Sequence, residues 1–359
     1  MRSLKTGLRF VATMALLTSM AGSMASCSKK EQKEEATKPP VVQEKNLGDS
    51  SEHQENTTVE TEGLKLDDNV LKVGSEQVTY RETLIYLLQI KNKYEPIAGG
   101  EVWEQKISDK ETFGEQAKQE VIDQITQIKI IKQEAAELKI GLEQDEVNEV
   151  EASARDYMSK ITKEDQQKYG ITQDMVQKVL EENYLAQKVY NIATNEVNTN
   201  ISNDQAKQIK VQLLEVMTKG TDKEGNQIDL DEQKKKDAKK QAEKLREEAL
   251  QAEDFSSFAT SNTDQPEVEL TFGKGDYPQI EEAAFALKQG EISKVIETDS
   301  GFVIIKLISA FDEEATNAKK EQIIEQERNK VFAEKYKTWS SGYKVTQDTS
   351  KWKNITFHI

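Results

Sequence analysis

The chain has 359 residues, enough for two ordinary domains, and its 65 acidic against 49 basic side chains give a formal net charge of −16. That balance excludes a nucleic-acid binder, which needs a basic stripe interleaved with aromatics. A single cysteine and two histidines leave neither a disulfide framework nor a metal-ligand set, no calcium-loop or glycine-rich phosphate motif appears, and no metal or cofactor is expected.

Arg2, Lys5 and Arg9 precede the apolar run from Phe10 to Leu17, and the chain then becomes small and polar. This is the layout of a secretory signal peptide over residues 1–26, too short and too interrupted by Thr18, Ser19 and Gly22 to span a bilayer. Ser23-Met-Ala-Ser-Cys27 resembles a bacterial lipobox, which implies cleavage before Cys27, lipid attachment at its thiol and a place on the extracytoplasmic face of the cell membrane. Residues 27–63 are rich in Glu, Lys, Gln, Ser and Thr, carry Pro39-Pro40 and lack periodic apolar content, so they read as a disordered tether that sets the reach of the folded domains.

From Val70 two short β segments flank Gly74-Ser75, and Thr79-Tyr-Arg-Glu82 is a capping-box pattern that starts a helix. A longer helix is predicted over 113–138, where Val121, Ile122, Ile125, Ile128, Ile131 and Ala135 recur every three or four residues, with Gly141 as its stop. Further helices are predicted over 144–161, over 172–194 with Thr172 as N-cap, and briefly over 202–208. This makes a helical lobe over residues 64–203.

At Ile209 the pattern changes to a strand, Ile-Lys-Val-Gln-Leu-Leu-Glu-Val-Met, followed by a Lys/Glu-rich helix over 230–251. A short helix from Asp254, a strand and turn from Leu270, a helix over Ile280-Glu-Glu-Ala-Ala-Phe-Ala-Leu and a β-branched strand from Gly301 complete an α+β domain over 204–312 with a small antiparallel-rich sheet. A last helix over 313–339 leads to Tyr343-Lys-Val and Trp352-Lys-Asn-Ile-Thr-Phe, too apolar for a loose tail. Residues 313–359 are therefore expected to pack back on the helical lobe, so that the lobe is built from both ends of the chain. Phe255, Phe258, Phe272 and Phe302 read as core, Asp264 as a turn or cap residue, and Glu215 as an isolated carboxylate.

The segment from Ile280 through Lys-Gln-Gly-Glu-Ile-Ser to Gly301-Phe-Val-Ile-Ile-Lys, with Asp254-Phe-Ser-Ser-Phe-Ala and Thr263-Asp264 before it, resembles a parvulin-type peptidyl-prolyl isomerase. The flanking layout is similar to extracytoplasmic foldases of the PrsA and SurA kind. The resemblance implies a foldase or chaperone whose partners are unfolded or newly exported proteins, and it leaves a homodimer open. It also implies a proline pocket at Tyr277, less certainly Asp276, and at Ile280 and Phe285. The family's two active-site histidines fall at Leu213, or Gln212 on a one-residue slip, and at Val303; its Cys or Asp falls at Gln265. The chain's own histidines, His53 and His358, lie far from these positions. Two readings stay open: an isomerase that works by shape and desolvation, and a non-catalytic chaperone that uses the parvulin fold as a binding module.

Overall fold

The structure, a computed structural model, describes residues 63–221 and 227–359; the signal segment, Cys27, most of the tether and His53 lie outside the described residues. Two compact units divide the chain. One takes the described residues up to Glu196 together with Asn329–Ile359, and the other takes the described residues of Val197–Arg328.

In the first unit, strands β1 (Asn69–Val73) and β2 (Glu76–Thr79) form an antiparallel hairpin whose turn holds Gly74 at φ +59°. A side chain there would also strike Gln133 and Tyr343, so the turn requires glycine twice over. Helix α1 (Tyr80–Ala98) starts where expected, but only half of the capping box forms. Thr79 accepts from the Glu82 amide at 3.2 Å, while the Glu82 carboxylate turns inward to Lys129 at 2.7 Å. After α1, a 3₁₀ turn (Gly100–Glu104) and the hairpin β3 (Lys106–Ser108) and β4 (Glu111–Thr112) were not legible in the sequence, being short and polar. Their anchor is Trp103, stacked on Phe113 at 5.6 Å and on Phe357 at 3.9 Å.

Helix α2 (Phe113–Glu137) carries the complete capping box, Thr112 with Glu115, and buries Val121, Ile125, Ile128, Ile131 and Ala135 along one face. It ends before Gly141. Lys139 takes the left-handed conformation at φ +55° and donates to Ala136, while Ile140 donates to Ala135: a Schellman stop with lysine where glycine is usual. Helices α3 (Gln144–Lys160), α4 (Lys163–Lys168) and α5 (Gln173–Ala193, capped by Thr172) complete the lobe, α4 being an addition to the sequence reading. Between α1, α2 and α5 the ammonium of Lys129, 1 % exposed, lies 2.7 Å from Glu82 and 2.5 Å from Glu182. Burial pushes the Glu82 carboxyl above its ordinary range despite that pairing.

The second unit begins with α6 (Asn203–Ala206), shorter than predicted, and then β5 (Gln208–Met217), the hairpin β6 (Lys219–Thr221) and β7 (Gln227–Asp229), α7 (Glu232–Ala249), α8 (Phe255–Asn262), β8 (Glu269–Gly273), α9 (Pro278–Ala286), β9 (Ile296–Glu297) and β10 (Gly301–Ser309). The sheet runs β8-β5-β10-β9, antiparallel throughout. Strand periodicity divides its two faces. Leu214, Val216, Phe302 and Ile304 pack with Ala238, Ala242 and Leu245 of α7 and with Phe255 of α8. Ile209, Val211, Val303, Ile305 and Leu307 pack with Phe272 and with Ile280 and Ala284 of α9.

Helix α10 (Glu313–Ser340) starts in the second unit, where buried Thr316 accepts from the Gln208 amide at 3.1 Å, and ends in the first, where Phe332 meets Tyr190 at 5.0 Å. Strand β11 (Val345–Gln347) then pairs with β1, Lys72 opposite Thr346, to give the sheet order β11-β1-β2. After α11 (Thr349–Trp352), Trp352, Ile355 and Phe357 enter the lobe's core. The architecture is thus the expected α+β one: a helical lobe closed by both ends of the chain, and a small antiparallel sheet dressed with helices.

Candidate functional site

Along β5 the side chains of Ile209, Val211, Leu213 and Glu215 share one face, since successive residues alternate. The first two are buried in the core beside α9; the last two line a cavity of about 470 Å³. Across the ladder Val303 stands opposite Glu215 and Ile305 opposite Leu213, which brings Val303 into the same wall. The turn into α9 supplies Asp276, Tyr277 and Ile280, with Pro278 fixing the helix's first turn. Tyr277 is an aromatic left 44 % exposed, held edge-on to Phe272 at 5.3 Å. Leu213, Val303, Ile280 and the Tyr277 ring make the apolar part of the cavity's lining.

The polar side of the cavity is organised around Glu215, 5 % exposed. One carboxylate oxygen accepts from the Ser300 hydroxyl and the other from the Gln265 amide, each at 2.5 Å. Both partners are themselves held. Ser300 sits in the Thr298-Asp-Ser-Gly301 turn, where the Thr298 hydroxyl oxygen accepts from the Gly301 amide at 3.1 Å. Gln265 follows α8, and Thr263 accepts from the amides of both Glu215 and Gln265. Asp264 acts as the structural residue expected of it, its backbone amide bonding the Glu215 carbonyl and its carboxylate accepting from the Met217 amide at 2.9 Å. A second wall carries Glu267, Glu269 and Leu270.

Of the residues singled out in the sequence, Leu213, Gln265, Val303, Tyr277, Ile280 and the less certain Asp276 all line this cavity. Gln212 does not: its amide donates to Glu269 at 3.2 Å, as a one-residue slip in a strand demands. Phe285 does not line it either. Its ring packs edge-on to Phe272 at 6.1 Å, so it supports Tyr277 through Phe272 instead of facing the cavity. His358 belongs to the other unit, with Nε2 2.6 Å from Glu104. Sequence reasoning missed Thr298, Ser300, Glu267 and Glu269; the period-2 signal that pairs Glu215 with Leu213 was available. Among the described residues no group of three or more His, Cys, Asp or Glu side chains could hold a metal ion, and no helix is long and apolar enough to cross a membrane.

Comparison with known proteins gives a family match, two curated relatives and a solved structure. Residues 216–309 match the Rotamase family, the PPIC-type PPIase domain, a segment that starts one residue after Glu215 and contains every residue of the cavity's lining except Leu213 and Glu215. The foldase protein PrsA of Caldanaerobacter subterraneus is 27 % identical over 282 residues, covering 75 % of this chain and 83 % of that protein. The foldase protein PrsA of Clostridium botulinum strain Langeland is 24 % identical over 307 residues, covering 79 % and 89 %. Among solved structures, the peptidylprolyl isomerase PrsA of Bacillus cereus aligns over 77 % of this chain and 91 % of its own with a TM-score of 0.32 at 17 % identity.

Proposed function

The chain is a PrsA/SurA-like foldase carrying a PPIC-type peptidyl-prolyl isomerase domain, and from that premise we propose that the cavity of the second unit takes the prolyl segments of unfolded client chains and speeds their cis–trans exchange. Rotation about an X-Pro bond faces a barrier of roughly 18–20 kcal/mol and takes tens to hundreds of seconds. Binding lowers it only where the twisted amide is held better than either planar form. The observation that carries the reading is the apolar surface of Leu213, Tyr277, Ile280 and Val303, the last three within the matched segment, open to solvent and backed by one buried carboxylate. Such a surface grips the ring and strips water from the amide, while Glu215, fixed by Ser300 and Gln265, keeps the polar wall rigid.

The place of action is extracytoplasmic, with Cys27 as the lipid anchor and residues 27–63 as the tether. The charged start, the apolar run and the small residues before Cys27 support that assignment.

A second reading has one observation in its favour. No histidine lines the cavity, and its wall includes Leu213 and Val303, the positions that the parvulin resemblance assigns to the family's histidines. On that reading the domain binds prolyl segments without turning them over. Refolding of a denatured client limited by a cis prolyl bond separates the two. The isomerase reading expects the slow phase to accelerate with added protein, and Ile280→Ala with Tyr277→Ala to remove most of that acceleration. An unchanged slow phase with suppressed aggregation gives the binding reading. Neither effect would contradict both.

A further inference from the structure

Four carboxylates, Glu215, Glu267, Glu269 and Asp276, line the cavity, and no lysine, arginine or histidine does. Glu269 is answered by Lys210 at 2.8 Å, and Asp276 lies 3.9 Å from Lys319. Among the described residues no cation stands within ion-pair distance of Glu215 or Glu267. Glu215 is buried with both oxygens already hydrogen-bonded, so its charge is fixed in a wall that water reaches poorly, where a field is screened least. Glu267 is exposed and precedes Val268, whose carbonyl accepts from the Leu213 amide. Metal binding does not account for this acidity, as no metal-holding group exists among the described residues.

We propose that the cavity selects prolyl segments in which a lysine or arginine neighbours the proline: the ring rests on Tyr277 and Ile280 while the ammonium or guanidinium lies against Glu267, in the field of Glu215. This rests on the prolyl-site reading above and adds the class of segment it takes. Electrostatic complementarity of this kind sets specificity more than raw affinity, and it discriminates most strongly against a like charge. An acidic neighbour of proline is repelled by the same wall.

The test is fluorescence anisotropy with the full-length chain and labelled pentapeptides that differ only at the residue before proline, Lys, Arg, Leu or Glu, each with a control in which proline is replaced by alanine. Lys-Pro and Arg-Pro peptides are expected to bind about tenfold more tightly than Glu-Pro, with Leu-Pro between, the ratio shrinking as salt rises. Glu267→Lys, a change at an exposed position, is expected to shrink or reverse the ratio. Equal affinity for Lys-Pro and Glu-Pro, with proline still required, overturns the charge selection and leaves the prolyl site standing. A Lys-over-Glu preference that persists unchanged in the alanine controls overturns the prolyl site and leaves the charge preference standing. No binding of the Lys-Pro peptide overturns both.

Discussion

Replacing Lys129 by methionine leaves Glu82 and Glu182 inside the helical unit without the ammonium that lies between them. Breaking a buried pair on one side costs about 3–5 kcal/mol, so urea unfolding of Lys129→Met is expected to show a loss of that order; a loss under about 1 kcal/mol would mean the pair is hydrated or dispensable. Asp254 tests the opposite regime. Its exposed carboxylate caps α8, and hydrogen bonds from the Ser257 hydroxyl and the Ser257 and Ser256 amides hold its pKa below the ordinary 3.8. A lowered acid contributes stability that is complete above the unfolded value and vanishes as pH falls through the folded one. The melting-temperature gap between the native chain and Asp254→Ala is therefore expected to be constant from neutral pH to about pH 5 and to close below pH 3.8. At this scale the cavity was partly legible. Aligned strands locate Leu213 and Val303, and hence the wall they share, but nothing in the sequence shows that Phe285 is screened by Phe272, because that depends on how α9 leans on the sheet. Nor does sequence reveal that the polar wall gathers on Glu215, whose partners Gln265 and Ser300 are 50 and 85 residues ahead.

At the scale of elements, helices announced themselves through caps and apolar spacing, and their ends were set by backbone detail. Residues 113–137 follow the three–four pattern almost to the residue, yet the stop falls at Lys139 and not at Gly141, because the Schellman bonds to Ala135 and Ala136 close first. A non-glycine residue in the left-handed region costs roughly 1 kcal/mol, so Lys139→Gly is expected to stabilise the first unit by about 0.5–1 kcal/mol in chemical denaturation; destabilisation would show that the lysine side chain has a compensating role. Glu82 illustrates the converse. Local pattern assigned it to a cap, and the pull of buried Lys129 took it into the core. The short hairpin β3–β4 carries no alternation long enough to read, and only the packing of Trp103 beside it gives it a place.

For the whole molecule, the helical lobe depends on residues that leave it at Glu196 and return at Asn329. Strand β11 completes the β1–β2 sheet, and Trp352, Ile355 and Phe357 fill the lobe's core. Each such side chain is worth about 1.5–3 kcal/mol when fully buried. Ending the chain at Ser341 is therefore expected to unfold the lobe, seen as loss of its cooperative melt, while the unit Val197–Arg328 keeps its own transition; two intact transitions would contradict the closure of the lobe by the C-terminal segment. That return was legible because the end of the chain is apolar, whereas its partner strand was not, since a three-residue strand has no periodicity of its own. Function turns on whether the cavity of the second unit acts on prolyl bonds. Exchange NMR of a Lys-Pro peptide with a small amount of the intact chain tests this most directly: cis–trans exchange faster than the peptide alone, and returned toward the uncatalysed rate by Tyr277→Ala with Ile280→Ala, is the result predicted, and exchange no faster than in the peptide alone, with the chain folded and the peptide bound, is the result that would contradict it.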